Sequence, residues 1–239
     1  MIERHLLRLR ARDAIPAEEE RAIRDAATER RALPAGKTFI RAGEELRHST
    51  MLLDGFMARY KDLRSGERQI SELHVAGDFA DLHSFTLKRL DHNIMALTPC
   101  EVALVPHERL ERITRDFPHL TRIYWFSTNL DGAIHREWEV SLGRRSALAR
   151  TGALFLELHA RLALVGLTEG DEYDLPLTQI TLAECLGLTA VHVNRTLKEM
   201  REAGLATFAQ HRVRILDRPG LIAAADFDPS YLYLDRPER

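Results

Sequence analysis

The 239-residue sequence predicts an α+β protein in three parts: an N-terminal antiparallel β-roll, a long helix, and a C-terminal winged helix-turn-helix. Three observations carry this expectation. From Leu33 to Val105, short runs of period two are punctuated by glycine turns, as in a roll or barrel of short strands. After Pro118, apolar residues recur at three-to-four spacing, the period of a helix. From Leu177 to Leu205 the chain reads LTQITLAECLGLTAVHVNRTLKEMREAGL, a helix, a tight turn, a second helix and a closing glycine. The boundaries read from these signals are 1–117 for the roll with flanking helices, 118–142 for the long helix, and 143–239 for the C-terminal domain.

Taken in order, residues 2–9 and 17–31 read as short helices. Strands are expected over 38–41, 51–53, 56–62, 68–74, 93–97 and 101–105, with turn chemistry at Asp54-Gly55, Ser65-Gly66 and Ala76-Gly77-Asp78. Pro106 ends the roll and 107–115 forms a short helix. In the long helix, Leu120, Ile123, Leu130, Ile134 and Trp138 make a stripe, and Tyr124, Trp125 and Phe126 widen the apolar surface beyond one seam. Such a helix has two things to bury against, its own roll and the same helix of a second copy. The stripe is therefore expected at a dimer interface. Gly143 marks a hinge, 144–164 a further helix, and 165–176 a loop.

The helix-turn-helix expectation rests on backbone chemistry. Leu182, Ala183 and Leu186 sit at core spacing on the first helix, and small Ala183 permits a close crossing. Gly187 stands where the chain turns sharply, because glycine takes positive φ without steric cost. Thr189 caps the second helix through its hydroxyl. Gly204 ends it, and 205–208 and 212–216 then alternate as the strands of a wing. A unit of this kind lays its second helix in the major groove of double-stranded DNA. The residues expected at DNA are Thr178, Thr189, Ala190, His192, Asn194, Arg195 and Lys198, with Arg212 and Arg214 reaching phosphates from the wing. Between Thr178 and Leu216 there are five Lys/Arg (Arg195, Lys198, Arg201, Arg212, Arg214) and three Glu (Glu184, Glu199, Glu202), a balance of plus two. The whole chain stands at −2, so the remainder is at −4 and the positive charge lies where a DNA footprint needs it.

Composition bounds the alternatives. Apolar content of 45% and charged content of 29% are those of a globular protein. No apolar run approaches the ~18–20 residues of a membrane span, so no membrane partner is expected. The charged N-terminus lacks the apolar core of a signal peptide, and a cytoplasmic location is expected. Cys100 and Cys185 are too few and too far apart for a disulfide framework or a metal cluster.

The order of parts resembles the family of the cyclic-AMP receptor protein and the fumarate–nitrate regulator (CRP/FNR), over nearly the whole chain. The residues that carry the resemblance are Leu177-Thr-Gln, Leu182-Ala183, Leu186-Gly187-Leu188-Thr189 and Val191-His-Val-Asn-Arg-Thr-Leu197. Gly77-Asp78-Phe79 in the roll adds to it, as does 141–150, Ser-Leu-Gly-Arg-Arg-Ser-Ala-Leu-Ala-Arg. The resemblance implies a cyclic-nucleotide-binding-like roll. It also implies a homodimer on a palindromic promoter site, an effector in the roll that changes how the long helices pair, and RNA polymerase as a further partner. It matches Arg195 to the recognition-helix arginine that contacts guanine. Cyclic-AMP-binding members carry Arg and Glu where this chain has Ala190 and Val191, so its base preference should differ.

The signal is less legible. Cyclic-nucleotide members hold the ribose with a Glu after Gly-Asp-Phe and the phosphate with an Arg-Ser pair further on. Here the first place reads Ala80-Asp81-Leu82, and the second is close to Asp91-His92-Asn93-Ile94, without the arginine. A buried phosphate lacking a positive partner is strongly disfavoured, so cyclic nucleotides are not expected to bind. Two cysteines cannot make the four-cysteine iron–sulfur site of the oxygen-sensing members. His74, His83, His92, His107, His119 and His135 leave a haem- or metal-dependent gas or redox sensor as the alternative, though none shows tight ligand spacing. The candidate effector pocket is Asp81, His83, His92 and Asn93. The effector is unassigned, with no tightly bound cofactor and no metal expected. A rival of another class, a cupin-like metalloenzyme, would offer His-x-His with a glutamate and a further histidine. The sequence contains no His-x-His, no P-loop and no HExxH, and no enzymatic activity is expected.

Overall fold

The computed structural model describes residues 2–234, which divide into two compact units. Of the described residues, the first takes in 2–61, Ser71–Gly132, Tyr233 and Leu234. The second takes in Asp62–Ile70 and Ala133–Leu232. The division in the long helix falls at 132/133, inside the segment the sequence assigns to one part.

The first unit opens with helices α1 (Glu3–Arg10) and α2 (Ala17–Ala26). Seven strands follow: β1 (Glu29–Leu33), β2 (Thr38–Ile40), β3 (His48–Asp54), β4 (Met57–Asp62), β5 (Arg68–His74), β6 (Asn93–Ala96) and β7 (Cys100–Pro106), of which the end of β4 and the start of β5, within residues 62–70, belong to the second unit. A short helix α3 (Ser84–Leu87) interrupts them, and α4 (His107–Asp116) and the start of α5 (Pro118–Arg144) close the unit. The strands form two sheets, ordered β1-β7-β3 and β2-β6-β4-β5, with antiparallel β1–β7, β3–β7, β2–β6 and β4–β6 pairings.

The period-two pattern builds two cores. Leu52, Val102 and Leu104 point into the roll with Leu33, Ile40, Met57, Ile94 and Ala96. The alternate residues Met51, Leu53, Ala103 and Val105 point the other way, against Ile2, Leu6, Leu9, Ile23, Leu110, Ile113, Leu120 and Ile123. Central β3 and β7 are thus buried on both faces. The first core is closed by the second sheet and the other by helices, the layered arrangement of an α+β domain. At Gly77 (φ 98°), a Cβ would lie 2.9 Å from the Arg4 carbonyl, so α1 can lie against this turn only over glycine. Arg8 pairs with Asp78, and His5 Nδ1 meets the Gly77 carbonyl at 2.9 Å.

Two expectations change here. Residues 17–31 are not one helix: α2 ends at Ala26, and β1 begins at Glu29. Apart from Leu33, β1 is exposed, so no apolar alternation announces it; its partner β7 holds it through backbone pairing from Glu29–Leu104 to Leu33–Cys100. Nor is Gly143 a break, because α5 runs through it to Arg144.

The second unit holds the rest of α5, α6 (Ala147–Ala163), α7 (Gln179–Leu186), α8 (Ala190–Glu202) and α9 (Arg218–Ala225). It also holds a three-stranded antiparallel sheet ordered β8-β10-β9, of β8 (Glu172–Asp174), β9 (Ala206–Ala209) and β10 (Arg212–Ile215). β8 lies within the stretch expected from the sequence to be loop. Gln210 and His211, at φ 51° and 60°, make the two-residue turn between β9 and β10. Positive φ at both positions is the hairpin turn that matches strand twist.

Candidate nucleic-acid interface

Helix α7 is capped by Thr178, whose Oγ1 accepts from Thr181 N at 3.1 Å. Its last carbonyls need partners, because no further turn supplies them. Ala183 O accepts from Leu188 N at 3.0 Å, Glu184 O from Gln69 Nε2 at 2.8 Å, and Leu186 O from Arg150 Nη1 at 2.7 Å. Gly187 turns the chain at φ 61° and ψ 40°. A Cβ there would also meet Leu142 at 3.1 Å. The sequence locates the turn but not Gln69 and Arg150, which lie far from it along the chain.

Helix α8 starts at once, with Thr189 Oγ1 accepting from His192 N at 3.2 Å. Its end is a double closure: Gly204 N donates to Arg201 O, and Leu205 N to Met200 O, at 3.0 and 3.1 Å. Val193, Thr196 and Met200 form its buried face, with Leu197 half-buried. Sequence spacing marks Val193 and Leu197 as inward and does not single out Thr196.

On the opposite face Val191, Asn194, Arg195 and Lys198 are exposed, while Ala190 and His192 are half-buried. Asn194 Nδ2 donates to Gln179 Oε1 at 3.4 Å, tying the second helix to the first. Lys198 lies 3.7 Å from Glu202 Oε1, both side chains open to solvent. Arg195 forms no ion pair among the described residues, so its guanidinium is available as a donor fork. Thr178 and Thr189 are exposed, with their hydroxyl oxygens already engaged as caps.

The wing departs from expectation. The Arg212 guanidinium is enclosed by Glu169, Glu172 and Asp174, and Arg214 pairs with Glu172 at 2.6 Å. The three carboxylates push Arg212 further up from its ordinary range. Two arginines against three carboxylates leave this side of the sheet net negative. Arg212 therefore clasps β8 to β10 rather than standing free for a phosphate; the sequence cannot reveal this while β8 reads as loop. Arg214, with its side chain 59% exposed, is a wing cation still open to solvent.

The dimer stripe is also corrected. Leu120, Ile123, Leu130, Ile134 and Trp138 are all at most 8% exposed within the single chain, so they face its own interior. Trp138 Nε1 donates to Glu157 Oε2 at 3.0 Å, and Tyr231 OH donates to the same oxygen at 2.8 Å. Arg161 Nη1 donates to Glu157 Oε1 at 2.9 Å. Burial pushes the Glu157 carboxyl up, against the pull of Arg161 and these donors. The open face of α5 instead carries Trp125, Asn129, Arg136 and Val140, with half-buried Gly132 among them.

In the roll, His83 and His92 lie side by side, while Asp81 and Asn93 make separate local contacts. Asp81 is fully buried; its Oδ1 accepts from Thr50 N, while its Oδ2 has no hydrogen-bond partner among the described residues. His83 and His92 rings lie 5.4 Å apart, and His92 Nδ1 meets Asp91 at 2.9 Å. Asn93 Oδ1 accepts from Ala42 N at 3.0 Å. Two hollows on the roll, around Leu46, Arg47 and His48, are lined by none of the four. A buried charge cluster escapes the sequence reading altogether. Arg59 Nη1 pairs with Glu72 at 2.7 Å, and its Nη2 donates to Ala80 O at 2.9 Å and reaches Asp131 of α5 at 3.5 Å.

Among the described residues, no group of three His, Cys, Asp or Glu is placed to hold a metal ion, and no helix is long and apolar enough to cross a membrane.

Comparison with known proteins agrees with both halves of this description. The Crp-like helix-turn-helix domain family matches residues 149–224, and the cyclic nucleotide-binding domain family matches residues 30–117. A probable transcriptional activator of Rhizobium leguminosarum bv. viciae is 31% identical over 185 residues, covering 77% of this chain and 75% of its own length. The nitrogen fixation regulation protein FixK of Bradyrhizobium diazoefficiens is 31% identical over 182 residues, 73% of each chain. The transcriptional activator protein FnrA of Stutzerimonas stutzeri is 24% identical over 204 residues, 85% of this chain and 83% of its own. Among solved structures, FixK2 from Bradyrhizobium japonicum superposes with a TM-score of 0.75 at 22% identity, over 82% of this chain and 96% of that one. That likeness shows the fold alone.

Proposed function

The chain belongs to the CRP/FNR family of transcription regulators, with a DNA-binding helix-turn-helix, and from that premise we propose that it acts as a homodimer on a palindromic promoter site. One α8 enters the major groove in each half-site, roughly one DNA turn apart. The observation that carries this reading is the open face of α8, where Arg195 stands without an ion pair among the described residues, beside Asn194 and Lys198. Arg195 donates to O6 and N7 of a guanine, the commonest specific contact to a base edge. Lys198 and Arg214 serve phosphates. A signal received by the roll sets how two copies of α5 pair, and RNA polymerase is the further partner.

The pairing surface is the open face of α5. Trp125, Asn129, Gly132, Arg136 and Val140 recur at spacings of three and four, and Trp125 and Val140 are 67% and 52% exposed. An exposed tryptophan on a helical stripe, with a glycine that lets a second helix approach, fits a two-fold seam. Trp125→Glu with Val140→Glu should give monomers by sedimentation without loss of fold. Leu130→Glu would instead damage the chain's own interior.

Selection of bound duplexes from a random pool, with and without cell extract, tests the whole reading. A symmetric motif bound two chains per duplex is expected. A wild-type protein that stays monomeric on its selected duplex at micromolar concentration would refute the dimer.

A further inference from the structure

The α8 surface carries one side chain that neither the fold nor its charge explains. Val191 is 81% exposed, the most exposed of the large hydrophobic residues described. It sits in the first turn of α8, one residue before His192, whose N–H is taken by the Thr189 cap. Packing does not require it, because the buried face is made by Val193, Thr196 and Met200. Helix propensity does not favour it either, since a β-branched side chain is stiff at χ1 and costs more here than alanine. The position is the one most committed to the groove: the N-terminal residues of a recognition helix contact base edges.

Val191 and Arg195 are four residues apart, hence on one face and one helical turn from each other. That turn spans about 6 Å, so the two side chains address base pairs at most about two steps apart. Valine can neither donate nor accept a hydrogen bond. Polar atoms of a base edge placed against it would lose water without compensation. The one apolar group in the major groove is the C5-methyl of thymine. Valine's restricted rotamers mean that little side-chain freedom is lost on docking against it.

We propose that Val191 reads the C5-methyl group of a pyrimidine close to the guanine read by Arg195, so that each half-site contains a thymine whose methyl is recognised and accepts 5-methylcytosine in its place better than cytosine. The proposal rests on the DNA-binding reading above. Burial of one methyl predicts a contribution of about fourfold in affinity per half-site, and about fifteenfold when both half-sites are changed.

The test uses the full chain and its selected duplex, with each thymine replaced in turn by deoxyuridine, which removes the methyl and leaves every hydrogen-bonding group. Binding is followed by fluorescence anisotropy at fixed salt. One thymine per half-site should weaken binding about fourfold on replacement, and 5-methylcytosine there should bind more tightly than cytosine. Val191→Ala should abolish both differences while keeping its preference for the Arg195 guanine. Ile180→Ala, at an exposed apolar side chain of α7, should leave both differences intact. If no thymine responds although guanine preference is intact, or if the methyl effect survives in Val191→Ala, the proposal is wrong. If the wild type shows no sequence preference at all, the proposal fails together with the reading beneath it.

Discussion

Removing Glu72 should destabilise the roll more than almost any other single change to a charged residue. Its carboxylate and the Arg59 guanidinium are 1% and 4% exposed and lie 2.7 Å apart. Glu72→Ala deletes the negative charge and leaves the guanidinium buried. Breaking such a pair from one side costs about 3–5 kcal/mol, because the remaining charge stays out of water. Arg59 would still hold Ala80 O at 2.9 Å and Asp131 at 3.5 Å, which places the expected loss at the lower end, about 3 kcal/mol. The double variant Arg59→Met/Glu72→Leu removes both charges and fills the space with apolar atoms. It should recover most of that loss, since apolar replacement of a buried pair is often neutral or better. Urea unfolding at pH 7, followed by far-ultraviolet circular dichroism through the roll's transition, measures all three proteins. A Glu72→Ala cost below ~1 kcal/mol, or a double variant no more stable than the single one, would refute the argument.

The other expectations concern pH and DNA. Burial pushes the Asp81 carboxyl up to about 7, so between pH ~4 and ~7 the folded chain keeps a proton that the unfolded chain has released. The contribution is therefore present below pH ~4 and lost as pH rises through ~7, at up to about 1.4 kcal/mol per pH unit. Asp81→Asn should remove that downward slope. His5 and His107, pushed down to about 4 by burial, tilt stability the opposite way below pH ~6.5, so the quantity to compare is variant minus wild type. Arg195→Ala should cost about 1–3 kcal/mol per half-site on the selected duplex and much less on random DNA; unchanged guanine preference would contradict its role. Arg214→Ala should make the salt dependence shallower by about one unit for each phosphate left unneutralised, whereas Arg212→Ala should leave that slope unchanged and lower the melting temperature. A shallower slope in Arg212→Ala would return that side chain to the DNA.

The helix-turn-helix is readable because its signals are local. Gly187 needs positive φ, Thr189 and Thr178 cap helices three residues ahead, and Gly204 closes α8 through neighbours on the chain. The roll is readable where strands alternate, but β1 is exposed except at Leu33 and is held by backbone pairing to a strand some seventy residues away. β8 has three residues, too few to show a period, and without it the cage around Arg212 is invisible. The stripe on α5 is real, but its burial does not come from a second copy. Three-to-four spacing identifies a buried face without saying what buries it, and here the chain itself does so. Arg59, Glu72 and Asp131 lie on three different elements, and nothing local in the sequence links them.

The chain passes between its two compact units four times, at 61/62, 70/71, 132/133 and 232/233. The last passage returns Tyr233 to the first unit, where its carbonyl accepts from Arg12 at 2.9 Å and its ring meets Phe126 edge-on. Each unit is therefore assembled from separated stretches of chain. During synthesis the first unit lacks Tyr233 until all the residues of the second have been made, and the second cannot begin until the long helix has emerged to pair its stretch with residues 62–70. No single peptide cleavage separates them into two complete pieces. A cut at 132/133 would strip the hairpin tip, and Gln69 with it, from the carbonyl of Glu184 that it closes. The two compact units are therefore distinct but not severable along the chain, and residues 62–70 belong with the helix-turn-helix although they lie between two stretches of the first unit.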